Sequence, residues 1–529
     1  MLPNSRLMFE QSRHSSLSKR DIDPSLLYPA HNISVPVDHF HNISMYEPHS
    51  NATFPLRYFF DASHYQAGGP VIVLQSGETD ATGRLSYLQD GILAQLAQAT
   101  HGIGVVLEHR YYGTSFPTPD LSTENLRFLT TQQALADEAF FAQNIIFPGF
   151  ENVDLTSNST AYIGYGGSYA GAFNAFLRVQ YPDIFFGTIS SSGVTKAIYD
   201  YWEYYSPVAE YGPSNCISAQ KTFTHIVDNI LIGQNQSGLT AQLKAAFGMP
   251  NVTYDNDFAN ELATGMAYWQ SRNWDPAVND PTFYEYCGNI SSTSVLYPET
   301  SSLGPTAAAL ITAGQYTATT PLINQMLNYI GWVNLTLVAP CTESGSTQDE
   351  CFSTHNATYY AQDDLSQSWR SWSYQYCTEW GFLQTGSGVP SNQLPLISRT
   401  IDLNYSSIIC VDAFNITTPP DTDAVNRYGG YNISYPRLAF IDGQEDPWRP
   451  ATPHAFAQGA QMRVSTASQP FILIEGAVHH WDENGLFANE TTAELPPPPV
   501  ADTQKEEVQF VMEWMEEWAL RCEIYGGCS

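Results

Sequence analysis

The segment Ala161–Gly171 constrains the fold more than any other part of this 529-residue chain. It reads AYIGYGGSYAG, an apolar run that ends in a glycine-rich turn and leads at once into an apolar helical pattern. A serine presented on a sharp strand-to-helix turn needs small residues two positions before and two positions after it. Gly166 and Ala170 hold those positions around Ser168. We therefore predict a nucleophile elbow with Ser168 at its tip; the alternative is a glycine-rich turn with an incidental serine.

Short apolar runs rich in β-branched residues alternate with helix-like stretches along both flanks of the chain. This alternation predicts an α/β fold, with a mostly parallel sheet covered by helices on both faces. The predicted strands are Arg57–Phe60, Val71–Leu74, Gly104–Glu108, Ala161–Tyr165, Gly187–Ser191, Arg437–Ile441 and Phe471–Ile474. The predicted helices are Leu85–Ala99, Gln132–Ile146, Ala170–Tyr181 and Gln504–Arg521.

The middle of the chain differs in composition from its two flanks. Residues 196–430 are rich in Tyr, Asn, Ser and Thr, hold six of the eight cysteines and contain few strand-like runs. We interpret them as an inserted, largely helical cap domain. Residues 31–195 and 431–529 then form one interrupted core, although the length alone suggests two or three domains in series. Residues 1–30 are expected to be a disordered, propeptide-like segment.

Two later strand ends carry the acid and the base that an elbow serine requires. The sixth predicted strand leads into Asp442, Glu445 and Asp446, and the seventh leads into the adjacent pair His479 and His480. Open α/β sheets place their sites beyond the carboxyl ends of the strands. The order serine, acid, histidine along the chain is also the order that this kind of fold uses. The three acids compete for one role and the two histidines for the other.

We take His479 as the candidate base and Asp446 as the candidate acid, with Asp442, Glu445 and His480 as alternatives. His479 takes the proton of Ser168 and returns it to the leaving group, while Asp446 fixes the imidazole tautomer and stabilises its cation. The backbone N–H of Tyr169, at the start of the helix, is a candidate donor of the oxyanion hole. The sequence contains no H-E-x-x-H, C-x-x-C or P-loop motif, so no metal or cofactor is predicted.

Charge and glycosylation motifs indicate where the chain works. It has 53 Asp and Glu against 21 Lys and Arg, a formal net charge of −32. A surface this negative repels phosphate backbones and anionic lipid, which argues against nucleic-acid and membrane partners, and it suits an acidic medium. Thirteen Asn-X-Ser/Thr motifs favour a secreted, glycosylated protein. They begin at Asn32, Asn42, Asn51, Asn158, Asn235, Asn251, Asn289, Asn334, Asn356, Asn404, Asn415, Asn432 and Asn489.

The eight cysteines are an even number, which predicts four disulfides in an oxidising compartment. Cys341 with Cys351, and Cys522 with Cys528, are near enough in sequence to close small loops, but the pairing cannot be deduced. Residues 1–30 contain no apolar run of signal-peptide length, so we expect a truncated N-terminus rather than a cytosolic protein. No apolar run is long enough for a transmembrane helix.

Several of these residues belong to motifs that together resemble one family. The motifs are Glu108–Gly113, Gly166–Gly171, Tyr374–Glu379, Asp446–Trp448, and the histidine pair after Gly476 and Ala477 with Val478 as one extra residue. The combination resembles the serine peptidases that include lysosomal Pro-X carboxypeptidase, dipeptidyl peptidase II and the fungal acid prolyl endopeptidases. The resemblance runs from about residue 36 to the end of the chain.

The resemblance implies an α/β-hydrolase core with a helical insertion between the nucleophile and the acid. It implies a triad of Ser168, Asp446 and His479 that hydrolyses peptide bonds after proline, sometimes alanine, at acidic pH through an acyl-enzyme. The expected partners are proline-containing peptides or proteins, and the related proteins indicate that a homodimer can form. The expected location is extracellular, with a vacuolar or lysosome-like compartment as the alternative.

The resemblance also suggests how a prolyl ring would be recognised. Trp448 would wall a small apolar pocket with Ala172 and Phe382, and an aromatic wall packs on a prolyl ring for roughly 1–3 kcal/mol. One loop departs from the family pattern, because Gly77–Asp80 reads Gly-Glu-Thr-Asp where the family often has Gly-Asn-Glu-Gly. That loop should supply the second oxyanion N–H, with Glu78 as the candidate. The departure leaves the exopeptidase or endopeptidase mode open.

Two other functions remain alternatives. An esterase or lipase could use the same triad, but a lipase usually exposes a broad apolar entry rather than a tryptophan-walled pocket. A non-catalytic binding module with the hydrolase fold is the other alternative, and such proteins typically lose the serine or the histidine, both of which are present here.

Overall fold

The computed structural model describes residues 24–525, and an eight-stranded sheet forms the centre of the core. The strands of this sheet are β1 (His31–Pro36), β2 (Thr53–Asp61), β3 (Val71–Gln75), β4 (Ile103–Leu107), β5 (Tyr162–Gly167), β6 (Gly187–Ser191), β9 (Leu438–Gly443) and β10 (Phe471–Ile474). Their order across the sheet is β1-β2-β4-β3-β5-β6-β9-β10. Strand β2 is antiparallel to both of its neighbours, and all pairs from β4 to β10 are parallel.

Helices cover both faces of this sheet. Thr131–Asn144 and Tyr169–Gln180 bury apolar side chains on one face, while Ile92–Thr100 and the C-terminal helix Pro498–Tyr525 do so on the other. Because both faces are covered, every residue of β3 and β4 is buried, which explains their continuous apolar sequences. This mostly parallel, doubly covered sheet is an α/β-hydrolase core, so the predicted fold class is confirmed.

The remaining helices lie mostly between β6 and β9. The other α-helices are Pro24–Leu27, Tyr205–Tyr211, Ser214–Asp228, Ser237–Ala246, Asp255–Glu261, Thr264–Ala267, Thr282–Ser291, Gly304–Ala313, Thr320–Val333, Ala339–Ser344, Gln348–Phe352, Ala357–Tyr360, Trp369–Gln375, Leu403–Ser406, Ile408–Phe414 and Asp423–Asn426. The 3-10 helices are Ser44–Tyr46, Ala81–Leu88, Asn125–Phe128, Trp202–Tyr204, Tyr268–Ser271, Pro298–Leu303, Gly430–Asn432, Arg449–Ala451, Phe456–Gln458 and Trp481–Glu483. Three π-helical segments are Asn229–Gln234, Asn334–Val338 and Tyr376–Trp380.

The inserted segment between β6 and β9 has an apolar core of its own, built mainly from helices. It also contains a small parallel sheet of two strands, β7 (Ile198–Asp200) and β8 (Gly381–Leu383). Three disulfides lie in the insertion: Cys216–Cys287, Cys341–Cys351 and Cys377–Cys410. Cys341 and Cys351, which lie near enough in sequence to close a small loop, are joined to each other.

Some predictions fall partly or wholly beyond the described residues. The possible pairing of Cys522 with Cys528 involves Cys528, which lies outside the described residues. Residues 1–23 of the predicted N-terminal segment lie outside them as well. The described end of that segment forms the short helix Pro24–Leu27. Within residues 24–525, no helix combines the length and the apolar character needed to cross a bilayer.

Candidate active site

Ser168 lies on the turn between β5 and the helix Tyr169–Gln180, which we call the elbow helix. Its backbone has φ 61° and ψ −124°, a conformation that an L-residue holds only where the surrounding structure enforces it. A Cβ on Gly166 would lie 2.4 Å from the carbonyl oxygen of Ala170, so a larger residue cannot take that position. The side chain of Ser168 is half-exposed. Since Tyr169 begins the helix, its N–H is one of the first-turn donors without a partner in the helix.

Asp446 and His479 form a buried pair beyond the ends of β9 and β10. Oδ2 of Asp446 lies 2.9 Å from Nδ1 of His479, and Oδ1 accepts the N–H of Trp448 at 2.8 Å. Burial disfavours the charge on Asp446, but the charge and hydrogen bond of His479 outweigh that effect and hold the pKa of the carboxyl below its usual range. The carboxylate is therefore ionised and fixes the orientation of the His479 ring.

The other two candidate acids, Asp442 near the end of β9 and Glu445 just after it, have different partners. The carboxylate of Asp442 lies 2.6 Å from Nδ1 of His454, and both residues are buried. Glu445 forms an ion pair with Arg272 at 2.8 Å. The structure thus brings only Asp446, among these three acids, to a histidine of the predicted pair.

The second histidine of that pair, His480, faces Glu483 rather than Asp446. Its Nδ1 lies 3.0 Å from a carboxylate oxygen of Glu483, and its backbone N–H donates to Oγ of Ser192 at 2.9 Å. Burial lowers the pKa of His480, but the charge of Glu483 more than offsets this and the net pKa is raised. A Cβ on Gly167 would lie 3.1 Å from Cγ of His480, so His480 lies against the residue that precedes Ser168.

Sheet register brings the three strand ends to one edge. Gly167 of β5 pairs with Ser191 of β6, Ser191 pairs with Ile441 of β9, and Gly443 of β9 pairs with Ile474 of β10. The carboxyl ends of adjacent parallel strands meet at the same edge of a sheet. The elbow turn and the Asp446–His479 pair therefore share this edge, which we call the active-site edge.

The loop after β3 also reaches the active-site edge. Gly77 has φ +72°, and a Cβ placed on it would lie 3.5 Å from Cβ of Ala170 in the elbow helix. Glu78 follows and is half-buried; burial raises the pKa of its carboxyl, with the positive charges of Arg84 and His479 opposing the shift. Glu78 thus lies close enough to His479 for their charges to interact.

Trp448 lies in a cluster of aromatic side chains from the insertion. Its ring stacks on Tyr201 at 5.4 Å between centroids and meets Tyr204 and Phe382 edge-on at 5.3 and 5.2 Å. Its Nε1–H donates to Oε1 of Gln270 at 2.7 Å, an oxygen that also accepts the hydroxyl of Tyr204 at 3.0 Å. Trp448 and Phe382, two of the residues predicted to line an apolar pocket, are thus in contact with each other.

Sequence reasoning missed Tyr201, Tyr204 and Gln270. The only local signal was the dense aromatic run YDYWEYY at 199–205. The predicted pocket residue Ala172 is fully buried in the first turn of the elbow helix, where its N–H donates to the carbonyl oxygen of Ser168 at 3.1 Å. Phe382 has φ 60°, a second strained backbone at the same site.

The arrangement suits acyl transfer. A strained, half-exposed serine stands at the start of a helix, and a histidine oriented by an ionised aspartate lies on the same edge. The ring of Trp448 lies 6.4 Å from the ring of His479, so the aromatic cluster borders His479. These are the parts that a hydrolase needs to form and then hydrolyse an ester on its serine.

Comparisons with known proteins agree with this chemistry. A family model described as Serine carboxypeptidase S28 matches residues 36–495. The chain is 54% identical over 515 residues to a probable extracellular serine carboxypeptidase of Arthroderma benhamiae, covering 97% of this chain and 72% of that protein. It is 28% identical over 453 residues to the serine protease vicPa of Bipolaris victoriae, covering 81% and 80%. It is 26% identical over 454 residues to a thymus-specific serine protease of Mus musculus, covering 81% and 79%.

Proposed function

Because this chain belongs to the Serine carboxypeptidase S28 family, we propose that it is a secreted serine peptidase that cleaves after proline, and in some substrates after alanine, at acidic pH. The observation that carries the chemistry is the buried hydrogen bond between Asp446 and His479 at the edge where Ser168 lies. Each further element of the proposal is supported by a separate feature of the molecule.

In the proposed reaction, Oγ of Ser168 attacks the peptide carbonyl while Nε2 of His479 takes the hydroxyl proton. The C–N bond then breaks, His479 gives the proton to the leaving amine, and an acyl-enzyme remains. Water repeats the sequence and releases the acid product. Asp446 keeps Nδ1 of His479 protonated, and the N–H of Tyr169 with one from the Glu78 loop stabilises the oxyanion.

The proposed specificity for proline rests on the aromatic cluster. The rings of Trp448 and Phe382 meet edge-on beside the base, and the half-buried amide of Gln270 accepts a hydrogen bond from the indole N–H. A prolyl ring is flat, rigid and apolar, so it fits against such a wall, whereas a charged side chain would lose its hydration there. Alanine is small enough to enter but fills less of the space.

Secretion is supported by the glycosylation motifs and by one relative. All thirteen candidate asparagines are exposed or half-exposed, so a glycan can be attached at each. The relative from Arthroderma benhamiae carries the word extracellular in its name. A vacuolar or lysosome-like compartment would also suit these features. The role of residues 196–430 as a cap, and the homodimer, remain predictions.

The test is product mapping by mass spectrometry. The protein would be incubated with a peptide library at about pH 4–5, where acid peptidases keep their carboxylates partly protonated, with Ser168→Ala as the control. We expect cleavage after proline, absent from the control, and the product lengths distinguish C-terminal trimming, N-terminal dipeptide release and internal cleavage. Cleavage without preference for proline, or turnover of long acyl esters in place of peptides, would contradict the proposal.

A further inference from the structure

A second group of chemically active side chains lies at the β1 end of the sheet, far along the strand order from β9 and β10. It occupies the connection between β1 and β2 and consists of Asp38, His41 and His49. Oδ2 of Asp38 lies 2.8 Å from Nδ1 of His49, and the rings of His41 and His49 are 5.4 Å apart between centroids. One potential ligand atom from each of the three residues lies within 4.8 Å of the other two.

The carboxylate of Asp38 is fixed in place before any ligand arrives. It is 2% exposed, and its Oδ1 accepts the N–H of Phe40 and Nε2–H of Gln133, each at 2.8 Å. Burial alone would raise the pKa of Asp38, but these hydrogen bonds, with contributions from His49 and His41, hold it below the usual range. Second-sphere bonds of this kind orient metal-binding carboxylates.

We propose that Asp38, His41 and His49 bind one Zn²⁺ ion. Two imidazole nitrogens and one carboxylate oxygen form a common zinc ligand set, and water can complete the tetrahedron. Zinc ligands at about 2.0–2.1 Å lie roughly 3.4 Å from one another, so the three atoms need movements on the order of 1 Å. His41 is exposed, so its ring can make most of that movement. The ion takes the place of the proton between His49 and Asp38, and the neutral His49 ring then carries that proton on Nε2.

The site matches no short metal-binding motif in the sequence. His49 is separated from Asp38 and His41 by the 3-10 turn Ser44–Tyr46, and only the folded chain brings it back to them. An ion there would tie both ends of this connection together. Through Gln133 it would also tie the connection to the helix Thr131–Asn144. We therefore expect zinc to stabilise the fold, and the site is independent of the proposed peptidase activity.

Zinc content after dialysis tests this proposal. Tag-free protein would be treated with a chelator, dialysed against Zn²⁺ at about pH 7.5, where histidines are neutral, and measured by elemental mass spectrometry. We expect about one Zn²⁺ per chain, a coordination stoichiometry for a single site. His41→Ala and His49→Ala should lose it, while His64→Ala, at an exposed histidine outside the cluster, should keep it.

A second readout separates binding from misfolding. Zinc should raise the unfolding temperature of the native protein and of His64→Ala but not that of His41→Ala. His41 is exposed, so this variant is expected to fold normally and to show an unchanged circular dichroism spectrum. The proposal is wrong if the native protein holds no stoichiometric zinc, or if His41→Ala and His49→Ala both retain it.

Discussion

Asp446 and His479 are 33 positions apart in the sequence, and their side chains meet at 2.9 Å in a buried hydrogen bond. Each residue follows the end of its own strand, and the pairing of β9 with β10 sets the two loops side by side. The negative charge of Asp446 can persist there because His479 and the N–H of Trp448 both stabilise it. On this account, the pair is the acid and base of a peptidase.

Replacing Asp446 with asparagine should reduce kcat/KM on a proline-containing peptide by about 10³–10⁴-fold, because an amide favours the wrong imidazole tautomer. The matched control is Glu445→Gln, the preceding residue, whose carboxylate faces Arg272 instead of His479. We expect that control to keep activity within about tenfold, since its charge lies outside the triad. Equal losses in the two variants would argue against the assigned roles.

Removing the indole of Trp448 should weaken proline recognition selectively. We expect Trp448→Ala to lower kcat/KM by roughly 10–100-fold for a peptide with proline before the cleaved bond, the kinetic equivalent of losing about 1–3 kcal/mol of packing. The same peptide with alanine at that position should lose less. Trp448→Phe serves as the control, since it keeps an aromatic wall and loses only the bond to Gln270. A uniform loss on both peptides would contradict a proline-binding role.

Stability should fall as pH rises because two acids are buried behind the active-site edge. Glu507 is fully buried, and within the described residues neither of its carboxylate oxygens has a hydrogen-bond partner, so burial raises its pKa well above the usual value. Asp482 accepts bonds from Tyr165 and Ser191, yet burial still raises its pKa to about 6. In the unfolded chain both groups lose their protons near pH 4, so the stability that they contribute when protonated is lost above that pH.

Glu507→Gln tests this pH dependence, because the amide never ionises. Its free energy of unfolding, compared with that of the native protein by urea titration, should show a difference that grows as pH rises from about 4 to about 7 and reaches roughly 1–3 kcal/mol. Glu516→Gln, at an exposed position of the same helix, should show a difference that stays near zero. A pH-independent difference for Glu507→Gln would mean that burial does not raise the pKa of Glu507 above its value in the unfolded chain.

The disulfide Cys377–Cys410 should matter more for stability than Cys341–Cys351. The first closes a loop with a sequence separation of 33 and the second one of 10. In the chain-entropy treatment, losing the first costs roughly 3–4 kcal/mol and losing the second about 1 kcal/mol less. Paired Cys→Ala substitutions followed by urea unfolding measure both costs. A larger loss at Cys341–Cys351 would show that strain or packing, rather than loop length, governs these bonds.

The sequence predicts strands well where an apolar run is continuous. It predicts them poorly at the sheet edge, where polar residues alternate with apolar ones. Phe471–Ile474 has the predicted bounds because it is short, apolar and bounded by turns. Gly187–Ser191 also has the predicted bounds, although Ile189 is its one large apolar residue. Strand β1 was not predicted, because the sequence of an edge strand with exposed and half-exposed polar residues resembles that of a loop. The predicted helix Leu85–Ala99 is a 3-10 helix followed by an α-helix, because Gly91 caps the second one.

The candidate site also has one part that the sequence predicts and another part that it does not. The elbow could be read from the sequence because all of its requirements are local: a strand, small residues, a serine and a helix. The choice among Asp442, Glu445 and Asp446 depends on which side chains point toward which neighbours, and the partners His454 and Arg272 are distant in sequence. The aromatic cluster was even harder to predict from the sequence, since it joins distant segments of the chain.

Labelling with a fluorophosphonate tests the central claim, that Ser168 is the nucleophile, most directly. The folded native protein would be treated with the reagent, digested, and mapped by mass spectrometry, with Ser168→Ala treated in parallel. The account predicts a single adduct on the peptide that contains Ser168, loss of peptidase activity in proportion to labelling, and neither adduct nor activity in Ser168→Ala. A native protein that remains unlabelled, or a Ser168→Ala protein with full activity, would contradict it.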